Sequence, residues 1–145
     1  MNNLAIEAAM KNYVSQRMTK GKAQARENFI AFAYLKIGRD EVPAFMKRVV
    51  GISRYYVNLL KVMEKPVRVP EMLWLSAMAL VAIFSCLLII VESERLLGIL
   101  LFPGAMIHMF VLGNLIVKRW RNTGVMIEIY NEIAEIAEEE ATERL

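Results

Sequence analysis

The side chains that could do chemistry are few, and they are badly placed for it. The one histidine, His108, shares an uncharged apolar block with Asn114, and the one cysteine, Cys86, lies in a second such block. A histidine acting as acid or base needs a carboxylate or nucleophile within hydrogen-bond reach, and neither block contains an Asp or Glu. There is no glycine-rich phosphate loop, no pair of carboxylates inside an apolar block and no Ser/His/Asp set. A lone cysteine builds neither a disulfide nor a cysteine-rich metal framework, and Cys86 reads as a small packing residue. These residues predict a protein that is not an enzyme and carries no cofactor or metal. His108 and Asn114 are six positions apart, about 120° on a helix, so they do not line one stripe. Their expected role is to hydrogen-bond a neighbouring helix or protomer; the other use of polar groups among apolar ones is an ion path.

The sharpest local pattern runs from Lys47 to Lys61. It resembles a helix-turn-helix, with Gly51 in the turn and Val50, Ile52, Val57 and Leu60 at buried positions. The resemblance implies a base-reading side carrying Arg54, Tyr55 and Asn58, with Lys47 and Arg48 just upstream. Lys47 departs from the motif, which wants a small residue there. The other reading is one basic amphipathic helix leading to the membrane, its Lys and Arg attracted to anionic lipid. The candidate contacts, to DNA on the first reading and to lipid on the second, are Lys47, Arg48, Arg54, Asn58 and Lys61.

What must position these groups is dominated by two long apolar blocks. The 145-residue chain is 57% hydrophobic, with mean hydropathy +0.37. The excess sits in residues 72–91 and 96–117, blocks of 20 and 22 residues without a single Asp, Glu, Lys or Arg. A helix of roughly 17–25 apolar residues crosses a bilayer core, and a core helix of a soluble protein would keep a polar face, which these blocks lack. The fold class expected is an all-α membrane protein built on a two-span transmembrane hairpin. Small residues Ala79, Ala82 and Cys86 on the first span, and Gly98, Gly104 and Gly113 with Pro103 on the second, suit close helix contact and self-association. No cleavable leader is expected at Met1–Glu7.

Charge sets the orientation. Residues 1–71 carry 13 Lys/Arg against 6 Asp/Glu, and residues 118–145 carry 4 against 7. Arg54, Lys61, Lys65 and Arg68 precede the first span and Lys118, Arg119 and Arg121 follow the second, whereas the connector 92–95 has only Arg95. Cytoplasmic loops are enriched in Lys and Arg, so both termini are expected in the cytoplasm and the connector on the periplasmic or outer side.

The basic region 1–71 reads as helical throughout. Leu4, Ile6, Met10, Tyr13, Val14 and Met18 mark one helix, ended at Gly21; Ala25, Phe29, Phe32, Ala33 and Ile37 mark a second, ended at Gly38. A third opens with Asp40 as N-cap and Pro43 in its first turn, and buries Val42, Phe45, Met46, Val49, Tyr56, Leu60 and Met63. Pro66 and Pro70 break the chain ahead of the first span. Residues 118–145 should form a short acidic helix in which Met126, Ile129, Ile133 and Ile136 make a coiled-coil-like seam. Opposite charge on the same side of the membrane predicts that this tail docks on the basic region.

The layout of basic helical region, central hairpin and acidic tail is similar to that of the small inner-membrane exclusion proteins of conjugative plasmids and phages. Hairpin accessory subunits of type IV secretion systems share it too. The resemblance implies a protein of the bacterial inner membrane that acts by touching another membrane protein, such as an incoming transfer apparatus. Two other functions stay open: a membrane-tethered DNA-binding regulator, from the Gly51 pattern, and an oligomeric pore, from His108 and Asn114. The partners expected are the bilayer, another membrane protein and further copies of this chain, with nucleic acid as the alternative.

Overall fold

A computed structural model describes residues 3–65 and 67–142; Pro66 lies outside them. The described residues are helical: α1 (Asn3–Lys20), α2 (Lys22–Lys36), α3 (Val42–Met63), α4 (Val69–Ile90), a 3-10 turn at Glu92–Glu94, and α5 (Arg95–Thr142). The chain divides into two compact units. One holds α1, α2, α3 and α5 from Gly124 onward; the other spans Glu64–Thr123.

In the first unit the breaks fall at the two glycines. Gly21 and Gly38 both adopt positive φ, at 92° and 89°, a conformation that a β-carbon makes costly. Gly38 follows the last turn of α2, where Ile37 N–H donates to Ala33 O at 3.1 Å, and so acts as a left-handed stop. Helix α3 starts one residue later than an Asp40 cap requires: Glu41 O accepts the first helical bond, from Phe45 N–H at 3.0 Å. Pro43 then occupies the first turn, where its missing N–H has no helical partner to lose.

Each helix of this unit buries one stripe. Ile6, Ala9, Met10 and Tyr13 come from α1, Ala25, Phe29 and Ala33 from α2, and Val42, Phe45, Met46 and Val49 from α3. The fourth wall is the tail, through Ile129, Ile133, Ile136 and Ala137. Leu4, Met18 and Met63 are exposed and Leu60 is only half-buried, so the stripes are shorter than the sequence periodicity suggests. The core runs out before the helices do. Tyr13 meets Phe29 edge to face at 5.7 Å, and Tyr56 stacks on Tyr130 at 5.2 Å. Ser53 is buried in the same α3 face, and its hydroxyl finds no hydrogen-bond partner among the described residues.

The expected short acidic helix does not exist as a separate element, because α5 runs unbroken from Arg95 to Thr142. Nothing between residues 117 and 126 stops a helix except Gly124, and one glycine costs only about 1 kcal/mol. The helix also continues through Pro103, which deprives the Ile99 carbonyl of its usual donor. Helix α4 likewise opens earlier than the apolar block, with Pro70 inside its first turn rather than ahead of it.

The second unit buries very little. On α4 Ala82 and Ser85 are buried, with Leu75, Met78 and Ile89 half-buried in line with them and Ala79, Val81 and Leu88 half-buried at the flanks. On the membrane-length part of α5 Gly98, Ala105 and Ile116 are buried, with Phe102, Met109, Leu112 and Arg119 half-buried in line and Gly113 at the flank. The in-line positions of both helices follow alternating three- and four-residue steps, the spacing of a narrow two-helix seam. Two contacts show the stripes meeting. A β-carbon on Gly98 would lie 2.6 Å from Ser85 O and 2.8 Å from Ile89 N, so only glycine admits this approach of backbones. Far along both helices, Arg119 clasps Glu71 through two hydrogen bonds, the Nη2–Oε2 one at 2.8 Å.

Candidate interaction surfaces

The first candidate is the charged clasp that fastens the tail in its unit. Glu132 sits on α5 between the buried Ile129 and Ile133, and its side chain is only 7% exposed. Arg17 donates to both of its carboxylate oxygens, from Nε at 2.8 Å and Nη2 at 3.0 Å, and Tyr13 OH donates at 3.2 Å. Lys22 Nζ lies 3.6 Å away. One turn to two turns further on, Arg54 pairs with Glu138, Arg26 with Glu139 at 2.7 Å, and Tyr34 OH donates to Glu140 at 3.1 Å. The two outer ion pairs are exposed and contribute a few tenths of a kcal/mol each, whereas the Tyr34–Glu140 contact is part-buried. Glu132 differs because a buried carboxylate without its cation would be left desolvated.

The electrostatics give this clasp a pH window. The Arg17 hydrogen bonds, opposed by burial, hold the Glu132 carboxyl below its ordinary 4.5. Burial, with the Glu132 charge beside it, pushes the Tyr13 phenol up to about 12. A lowered carboxyl stabilises the fold above its unfolded value and loses that contribution as pH falls through the folded value. A raised phenol stabilises below its unfolded value and loses that contribution as pH rises through about 12. Denaturant midpoints measured against pH should therefore hold a plateau and fall on both sides. Glu132→Gln should flatten the acid arm and cost about 2 kcal/mol near neutrality, and Tyr13→Phe should flatten the alkaline arm. An acid arm unchanged in the Gln variant would assign the pH dependence to other carboxylates.

The tail seam is placed unequally. Ile129, Ile133 and Ile136 are buried in the core, whereas Met126 is half-buried. Met126 helps line an open apolar cavity of about 320 Å³ with Met10, Val14, Tyr56 and Tyr130, and Glu7 and Lys11 complete the lining.

The second candidate is the outer side of α3. This helix passes straight through Gly51, and a helix-turn-helix needs a turn there. The motif is therefore absent, since glycine alone does not end a helix whose flanks bury a continuous stripe. Lys47, Arg48, Asn58 and Lys61 are exposed on its surface, while Arg54 is taken up by Glu138.

The third candidate is the apolar surface of α4 and α5. His108 and Asn114 are exposed and off the seam, and neither has a hydrogen-bond partner among the described residues. Gly104 and Gly113 have nothing within 4 Å of a β-carbon position, in contrast to Gly98. Ala82 is buried in the seam, Ala79 is half-buried, and Cys86 is exposed. The Glu71–Arg119 clasp went unseen in the sequence because the two residues are 48 positions apart. Its only signal was a carboxylate and a guanidinium at the same end of two apolar runs. Among the described residues no three His, Cys, Asp or Glu side chains are grouped to hold a metal ion.

No family model matches the chain, and neither a curated protein nor a solved structure matches it.

Proposed function

We propose that this chain is a bacterial inner-membrane protein whose α4 and α5 cross the bilayer as an antiparallel hairpin, and that it works by contact with other proteins. The observation that carries this reading is how little of the apolar helix surface is covered. The most apolar window of α4 is 6% buried and that of α5 is 11% buried, whereas a core helix of a soluble protein would be mostly covered. Contiguous apolar surface on this scale needs lipid or protein around it. The Glu71–Arg119 clasp puts Trp74 and Trp120 at one end of the helix pair, and tryptophan is enriched where a bilayer meets water. Lys65, Arg68, Lys118 and Arg121 cluster in sequence at that same end, which supports a cytoplasmic location for it.

On this topology the unit built by α1–α3 and the tail is cytoplasmic. Its basic helices already hold the acidic tail, which supports a folded module offered to a partner. The exclusion reading, in which this module meets an incoming DNA-transfer apparatus and blocks it, is supported by the layout of the chain and its size. Recipient cells making the protein should then take up conjugated or phage DNA less often than cells without it, and unchanged uptake would leave only the general contact role. The topology has its own test. A reporter active only in the periplasm should work when inserted at Ser93 and fail when fused at either terminus. Periplasmic activity at Leu145 would overturn the two-span arrangement, since an even number of crossings returns the chain to its starting side.

A further inference from the structure

The outer face of α3 changes character along its length. Tyr55, Leu59 and Val62 fall at i, i+4 and i+7, one face of a helix, and are 65%, 42% and 73% exposed; Met63, at the end, is 54% exposed. The buried stripe of α3 lies on the other side, at Val42, Phe45, Met46, Val49, Ser53 and Val57. The last two turns of this helix thus carry a second apolar stripe that its own unit does not cover.

Charge and chain continuity say what covers it. Lys61 lies in the last turn of the helix and Lys65 follows two residues past its end. Both are exposed and have no ion-pair partner among the described residues, and Arg68 comes next in the chain as a third exposed cation. Glu64 is the one acid in this stretch. Only residues 64–68 separate Met63 from Val69, where the apolar α4 begins, and the six Cα–Cα steps between them span at most about 22 Å. If α4 enters a bilayer, the end of α3 cannot be further than that from its surface. An exposed apolar stripe bordered by lysines is the pattern of a helix lying in the headgroup layer.

We infer that the C-terminal half of α3 is a docking face for anionic lipid, with Tyr55, Leu59 and Val62 set among the acyl-chain ends and Lys61 and Lys65 against the phosphates. This rests on the membrane reading of α4 and α5 and adds a lipid preference to it. The face would make presentation of the module depend on the lipid around it. Arg54, held by Glu138, takes no part.

The test uses the full chain with Cys86→Ala, a polarity-sensitive fluorophore at Leu59→Cys or Val62→Cys, and reconstitution in two vesicles. One is phosphatidylcholine alone and the other contains phosphatidylglycerol. The expected result is a blue-shifted label, quenched by lipid-borne quenchers, in the phosphatidylglycerol vesicles and much less so in the neutral ones. Each cation near an anionic surface is worth about fivefold in partitioning. Lys61→Gln with Lys65→Gln should therefore shift the ratio of docked to free label on the order of thirtyfold, as should high salt. A label that stays wet in both vesicles, while the protein floats with them and resists alkaline extraction, overturns the docking face and spares the membrane reading. Protein that does not float overturns both. Protection by added duplex DNA, or protection that follows the protein-to-lipid ratio and ignores phosphatidylglycerol, reassigns the face to nucleic acid or to a second copy.

Discussion

Ile133→Asp should unfold the unit that contains the tail. Ile133 is fully buried, with 0% exposure, in the core shared by α1, α2, α3 and the end of α5. Losing an isoleucine there removes about 2–5 kcal/mol through transfer and cavity terms together. The new carboxylate must in addition be buried without a cation or be neutralised, which adds several kcal/mol more. The sum approaches the whole stability of a small domain, about 5–15 kcal/mol. Limited proteolysis of the full chain should then cut within residues 3–63, which resist cleavage in the parent, while residues 69–117 stay protected in detergent or lipid. Ile133→Leu keeps the volume and should cost less than about 1.5 kcal/mol. Met126→Asp is the sharper control, because Met126 faces an open cavity, and its carboxylate would remain hydrated. If Met126→Asp were as damaging as Ile133→Asp, the four seam residues would share one environment and the described core would be wrong.

The second large effect is expected at Gly98. Isoleucine there would place its β-carbon 2.6 Å from Ser85 O and 2.8 Å from Ile89 N. Both are backbone atoms of α4, so no side-chain rotation relieves the clash and the helices must separate. Overpacking typically costs about 1–3 kcal/mol and more when backbone has to move, which corresponds to a melting shift of roughly 3–10 °C for a chain of this size. The same substitution at Gly104 or Gly113 meets open space and should leave the melting temperature of the isolated chain almost unchanged. Thermal circular dichroism of the three variants in detergent reads the difference directly. The pattern also probes self-association. If Gly104→Ile spared the monomer yet weakened oligomers in cross-linking, the open glycine would belong to a contact between copies, and His108, on the same open face at i+4, would gain the partner it lacks within the chain. Equal tolerance of isoleucine at all three glycines would instead show that α4 and α5 do not pack through Gly98.

Local rules already decided much of this molecule in the sequence. Two charge-free blocks long enough to cross a bilayer, with two glycines at the ends of periodic stretches, placed the helices, because hydrophobic runs and φ-permissive residues act within a few positions of themselves. The isoleucines of the tail announced their own burial by spacing, and opposite charge named the basic region as the surface that would receive them. Where the structure differs, the competing effect was longer in range. Gly51 looked like a turn, but the buried stripe on either side of it holds α3 together through tertiary packing. The acidic tail looked like an independent helix, but no residue after Val117 is a strong enough breaker to part it from α5. Which carboxylate would matter was also beyond local reading. Glu128, Glu132, Glu135 and Glu138 look alike in the sequence, and only Glu132 turns inward to meet Arg17, Tyr13 and Lys22. In the same way Gly98, Gly104 and Gly113 are equivalent as letters, and only the approach of Ser85 and Ile89 makes Gly98 indispensable. Partner choice between distant residues depends on how helices cross, and crossing is settled by the packing of whole faces rather than by any short stretch of chain.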